Sequence, residues 1–89
     1  MKVCKVVQIS GKVQGVFFRA STQQQAIELG ISGYAKNLIN GDVEVLACGE
    51  EEPLAQLLTW LHDGPSNADV RSVKVKDVAW QEHSFFAIA

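Results

Sequence analysis

The hydrophobic residues of this chain switch between strand-like and helix-like spacing in the order strand, helix, strand, strand, helix, strand. Residues 2–10 are rich in β-branched side chains, and residues 42–48 place Val43 and Val45 in alternation with other residues. The clearest helix lies within residues 50–64, where four leucines follow the i, i+3, i+4, i+7 template of one apolar face. These leucines are Leu54, Leu57, Leu58 and Leu61.

The remaining segments complete that order. Residues 19–29 are mostly good helix formers, and Gly30 stands where a glycine often ends a helix. Residues 31–37 predict the second strand, which a short Asn-Gly loop joins to the third. Residues 70–80 predict the fourth strand, and the tail 84–89 offers a short final strand.

The order β-α-β-β-α-β is typical of the ferredoxin-like α+β fold. It predicts an α/β sandwich in which an antiparallel sheet carries two helices on one face, with the short C-terminal strand added. The length of 89 residues suits one domain that spans residues 1–89. The leucine face of the second helix would fill the space between the layers.

The charge balance of the chain disfavours several functional classes. It has 8 basic and 10 acidic residues without a basic block, so we expect no nucleic-acid partner. No apolar stretch approaches the length of a membrane span or a signal peptide, so we expect a cytoplasmic protein without a membrane partner. The two cysteines are too dispersed for a zinc cluster, and we expect no metal or cofactor.

Those two cysteines, Cys4 and Cys48, fall in strands that the fold predicts to be antiparallel neighbours. The start of the first strand then lies beside the end of the third, with both side chains pointing away from the face that carries Val7 and Val45. A disulfide can form if the two Cα atoms are within roughly 7 Å. The expected cytoplasmic location favours free thiols instead, so the sequence leaves both states open.

The loop between the first strand and the first helix is a candidate anion site. A strand-to-helix loop can direct several backbone N–H groups at one point, in front of a helix N-terminus that attracts anions. Gly15 permits tight curvature, and Arg19 adds a planar fork suited to two phosphate oxygens. The spacing matches neither a nucleotide P-loop nor a dinucleotide motif. On spacing alone, a glycine turn followed by a surface arginine is the favoured interpretation.

Two segments resemble signatures of a known family, and this resemblance favours the anion site over a simple glycine turn. Residues 9–19, ISGKVQGVFFR, resemble the acylphosphatase signature G-x-V-Q-G-V-x-F-R. Residues 33–49 resemble the second signature of that family, G-aromatic-A/V-K/R-N, three residues, G-x-V, five residues, G. Both patterns are met at every specified position, in the right order and on a chain of family length. The chain is therefore identified as a member of the acylphosphatase family, whose fold is the same sandwich.

The resemblance implies a site and a mechanism. Arg19 would hold the phosphate of an acyl phosphate substrate, and Asn37 would orient the attacking water. A side-chain amide cannot act as a base near neutral pH, so the substrate's own phosphate would accept the proton. Inorganic phosphate would be the product. The backbone of the phosphate-binding loop would be supplied by Gln14, Gly15, Val16, Phe17 and Phe18.

Two other functions remain to be compared with this one. A non-catalytic anion-binding or regulatory ferredoxin-like module would keep the loop but turn over no substrate. An RNA-binding domain of the same topology needs exposed aromatic residues on its central strands. Residues 42–49 contain none, which disfavours RNA. Nothing in the sequence calls for more than a monomer.

Overall fold

A computed structural model describes all 89 residues and contains five strands and two helices in the predicted order. The strands are β1 (Lys2–Lys12), β2 (Ser32–Asn37), β3 (Val43–Glu50), β4 (Asp69–Val78) and β5 (Phe86–Ile88). The helices are α1 (Phe18–Leu29) and α2 (Glu51–Leu61). Neither helix has the length and apolar character needed to cross a membrane.

The strands lie in the spatial order β4-β1-β3-β2-β5, which confirms the ferredoxin-like topology. The first four strands are antiparallel to their neighbours, as predicted, but β5 pairs in parallel with β2. The sheet is therefore mixed. The reason is geometric: β4 ends at the end of the sheet where β2 begins, so a chain that reverses there must run parallel to β2.

The helices cover one face of the sheet and enclose the main core with it. The leucine face of α2 is confirmed, since Leu54, Leu57 and Leu61 are fully buried and Leu58 packs at the margin. Burying a leucine side chain contributes roughly 1.5–3 kcal/mol, so this one face is a substantial part of the stability of a small domain. Ala26 of α1 is buried against the same core.

The helix ends differ slightly from the predictions. Gly30 follows α1 in the left-handed region at φ 71°, as its sequence position predicts. Helix α2, in contrast, ends at Leu61, three residues before the predicted Gly64. Gly64 closes the following turn by donating its N–H to the Trp60 carbonyl at 2.8 Å, with φ 68°. The turn extends the helical hydrogen bonding without continuing the helix.

The open face of the sheet carries a second, smaller cluster formed by Cys4, Leu46 and Cys48. The prediction that both cysteines point away from the helix-covered face is confirmed. They lie directly opposite each other, with Cα atoms 4.1 Å apart, and the structure joins them in a disulfide. The Gln81 N–H donates to Cys4 Sγ at 3.3 Å, so the segment after β4 passes over this end of the sheet.

Candidate active site

The loop between β1 and α1 has an unusual backbone at two positions. Gly15 has φ 74°, and Phe17 has φ 61° and ψ 26°, which makes it the one non-glycine residue with a positive φ. Phe17 precedes α1, whose start has no side-chain cap and no acidic residue in its first turn. The first N–H groups of a helix have no partner inside the helix, so here they remain available to a ligand.

The residues on either side of Phe17 fix the loop to the core. Val16 and Phe18 are buried, whereas Phe17 is 79% exposed. The Phe18 ring packs against Trp60, with centroids 6.1 Å apart, and against Gly64, where an added Cβ would lie 2.6 Å from the ring. The loop is therefore anchored from below while its ligand-facing side stays open.

The side chain of Gln14 ties the loop to the turn between β2 and β3. Its Nε2 donates to the carbonyl oxygens of Leu38 at 2.8 Å and Asp42 at 2.9 Å. A second glutamine, Gln8 on β1, donates to Asp42 Oδ2 at 2.6 Å. These contacts hold the candidate phosphate loop and the end of β2 in one arrangement.

Asn37 is the last residue of β2 and is paired with Val43 of β3. Val43 belongs to the core beneath the helices, so Asn37 lies on that same face of the sheet. The residue is exposed. It lines the same pocket as the start of α1 and the loop that precedes it.

Arg19 is the second residue of α1 and reaches the end of the chain. Its Nη1 donates to the Ala89 carbonyl oxygen at 2.8 Å, and the Ala89 N–H donates to the Ala35 carbonyl at 2.9 Å. A guanidinium group has five N–H donors, so one such bond fixes its orientation and leaves several donors for a ligand. The segment that follows β5 thus positions Arg19.

Arg19 and Asn37 meet at one pocket of about 280 Å³. Arg19 is the one charged side chain that lines it, so the pocket favours an anion. Its eight lining residues are Val13, Gly15, Phe17, Phe18, Arg19, Ala20, Asn37 and Ile88.

Five of these residues were predicted from the sequence, and Val13, Ala20 and Ile88 were not. Of the other predicted loop residues, Val16 lies in the core, and the side chain of Gln14 supports the loop from the hairpin side. Val13 stands inside the first signature and Ile88 in the predicted final strand, so both carried a signal. Without the sheet order, nothing in the sequence placed Ile88 beside β2.

Comparison with known proteins identifies the family of the chain. The family model described as acylphosphatase matches residues 5–88. The chain belongs to the acylphosphatase family. It is 57% identical over 88 residues to an acylphosphatase of Colwellia psychrerythraea, and the match covers 99% of each chain. The protein is accordingly a hydrolase that acts on acid anhydrides.

Solved structures of the family have the same fold. An acylphosphatase from Coxiella burnetii superposes with a TM-score of 0.96 at 43% identity, covering 99% of this chain and 93% of that one. The crystal structure of acylphosphatase from Bacillus subtilis superposes with a TM-score of 0.95 at 30% identity, covering 100% of this chain and 99% of that one. The ferredoxin-like sandwich predicted from the order of elements is confirmed by both.

Proposed function

We propose that the protein hydrolyses small acyl phosphates at the pocket shared by Arg19 and Asn37, releasing a carboxylate and inorganic phosphate. The observation that supports this most is the convergence of these two side chains. They are 18 positions apart in sequence and belong to different layers, yet they line one small pocket with an open loop backbone.

The phosphate is held by the loop and by Arg19. Backbone N–H groups of residues 14–18, together with the uncapped start of α1, surround the phosphate oxygens. The guanidinium of Arg19 binds two of these oxygens in a bidentate manner. In a pocket without an acidic side chain, this arrangement stabilises the charge that develops on the phosphoryl group in the transition state.

Asn37 orients the attacking water. The water oxygen forms a bond to phosphorus while the bond between phosphorus and the acyl oxygen breaks, and the carboxylate leaves. A phosphate oxygen of the substrate accepts the proton, because an amide cannot act as a base near neutral pH. The enzyme contributes positioning and electrostatic stabilisation, which suffice for a phosphoryl group with a good leaving group.

The test is steady-state hydrolysis of benzoyl phosphate in the presence of EDTA. We expect wild-type turnover and a loss on the order of 100-fold or more in Arg19→Ala and in Asn37→Ala, as when a preorganised donor is removed. Matched controls are Arg71→Ala and Asn67→Ala, which alter exposed residues outside the pocket and should retain activity. Circular dichroism establishes that each variant is folded.

Each other result identifies the part of the proposal that fails. A wild-type protein that binds phosphate but hydrolyses nothing would indicate a non-catalytic anion-binding module. Full activity in folded Asn37→Ala would leave the reaction in place and contradict the proposed role in orienting water. Activity lost on adding EDTA would contradict metal independence.

We also propose that the enzyme works as a monomer in the cytoplasm, without a nucleic-acid or membrane partner. Arg19, Asn37 and the loop before α1, the groups to which the mechanism gives a role, line one pocket within a single chain, so the proposed chemistry calls for no second subunit. Light scattering at assay concentration checks the oligomeric state, and a dimer that dissociates with loss of activity would contradict it. Cell fractionation followed by the benzoyl phosphate assay checks the location.

A further inference from the structure

The pocket has an apolar side that phosphate does not use. The phosphate and the water would be bound by the polar groups of the pocket, which are the guanidinium of Arg19, the amide of Asn37 and the loop backbone. The other side chains that line it are apolar. They are Val13, Phe17, Phe18, Ala20 and Ile88. An acyl phosphate has a charged phosphate part and an acyl part. When the phosphate is bound by the polar groups, the acyl group must lie against the rest of the pocket.

Burial separates these five apolar residues into two sets. Val13 and Phe18 are 1% exposed, so they form the floor and offer almost no surface to a ligand. Phe17 is 79% exposed and Ile88 is 43% exposed. Ala20 is exposed but small. The large apolar surfaces that an entering acyl group can bury are therefore those of Phe17 and Ile88.

The ring of Phe17 is not required for binding phosphate. The first signature leaves position 17 unspecified between the valine at 16 and the phenylalanine at 18, and the backbone alone would serve the phosphate. Phe17 also adopts φ 61°, a left-handed conformation that bulky side chains rarely occupy. An exposed phenyl ring is thus held in an unfavourable backbone conformation at the rim of the pocket.

We propose that Phe17 and Ile88 bind the acyl group and make the enzyme selective for acyl phosphates with an aromatic or other bulky apolar acyl group over acetyl phosphate. This inference rests on the proposed function, since it names the substrate class of that same site. The two residues belong to the loop before α1 and to β5, so they approach the pocket from different elements. The volume of about 280 Å³ lies near the low end of small-molecule sites, roughly 300–1,000 Å³, which suits one ring.

The experiment compares kcat/KM for benzoyl phosphate and acetyl phosphate. Phe17→Asn removes the ring, and asparagine adopts the left-handed conformation more readily than phenylalanine, so the loop can keep its backbone. We expect the ratio of the two kcat/KM values to fall on the order of tenfold, a size typical of lost apolar contacts in a pocket. The change should lie mainly in KM for benzoyl phosphate, because the acyl group is bound alike before and during reaction.

Two further variants complete the design. Ile88→Thr keeps the β-branched shape on β5 and should lower the ratio in the same direction by a smaller factor. Phe85→Asn is the matched control, because it removes another phenyl ring, 71% exposed, that does not line the pocket. Its ratio should equal that of the wild type.

Three results would overturn the inference. One is an unchanged ratio in Phe17→Asn. Another is an equal rise in KM for both substrates and in the inhibition constant of inorganic phosphate, which would show that position 17 acts only through the loop backbone. The third is a wild-type ratio near one. If the wild type hydrolyses neither substrate, the proposed function itself fails. The three results above are instead measured on an enzyme that turns over substrate, so failure of the inference alone is distinguishable from failure of the proposed function.

Discussion

The two faces of the sheet are stabilised in different ways. The face beneath the helices buries a continuous apolar core. The open face has three buried residues, and next to them polar side chains pair with one another. The Tyr34 hydroxyl donates to Glu44 Oε2 at 2.8 Å, and Lys36 Nζ lies 3.5 Å from the same oxygen. On that face a disulfide and cross-strand polar pairs replace a second layer of helices.

Neighbouring residues of β2 show what the difference means. Lys36 points to the open face, where Glu44 compensates its charge, whereas Asn37 points to the helix-covered face and is exposed in the pocket. The apolar core already stabilises the helix-covered face. Polar side chains at the edge of that face are therefore not needed for stability and are available to a ligand. The open face uses its polar groups within the protein. Variants of the open face should therefore change stability, and variants of the pocket should change activity.

The largest stability effect should come from the disulfide on the open face. The two cysteines are 44 residues apart, and the chain-entropy relation gives about 4 kcal/mol for a loop of that length. We expect reduction to lower the free energy of unfolding by about that amount, measured by urea denaturation with and without dithiothreitol. The kcat of the folded reduced protein should be unchanged. Two free thiols titrated in a non-reduced sample, or a reduced enzyme with lower kcat, would contradict this division of roles.

A smaller effect, on activity only, is expected for Arg19→Lys. Lysine keeps the charge but loses the planar fork that binds two oxygens at once. The kcat/KM for benzoyl phosphate should fall roughly 10- to 100-fold, or about 1.4–2.7 kcal/mol in transition-state stabilisation. The free energy of unfolding should change by less than about 0.5 kcal/mol, since Arg19 is not part of the core. Wild-type activity would mean that charge alone is sufficient there.

The smallest effect is expected at Tyr34. Burial, the hydrogen bond to Glu44 and the charge of Glu44 together raise the pKa of Tyr34 from 10.0 to about 12. Folding thus favours the neutral phenol, and this contribution is complete below pH 10 and is lost as pH rises through about 12. The stability difference between wild type and Tyr34→Phe, roughly 1 kcal/mol for one hydrogen bond, should shrink over that interval. A constant difference up to pH 12, or a loss of kcat, would contradict this.

Local periodicity was sufficient to predict the order of elements, the leucine face of α2 and the side of the sheet on which both cysteines lie. Each of these depends on spacing within one segment and on the topology that the order implies. The two signatures added the pair Arg19 and Asn37, which the structure brings to one pocket.

Features that depend on how distant segments meet were not predictable. The parallel pairing of β5 follows from the crossing of residues 79–85 over the end of the sheet, which no periodicity encodes. Ile88 lines the pocket only because of that pairing. The left-handed backbone of Phe17 was also hidden, since a phenylalanine in a sequence gives no sign of positive φ.

The contacts of Gln14 have a consequence for protein engineering. Because its amide bonds to Leu38 and Asp42, the turn between β2 and β3 is not an interchangeable connector. A hairpin transplanted from another ferredoxin-like scaffold would have to present two carbonyl oxygens at the same spacing. Lengthening the turn by a residue would change the spacing of the two carbonyl oxygens that Gln14 binds. The length of this surface turn therefore contributes to the position of the phosphate-binding loop.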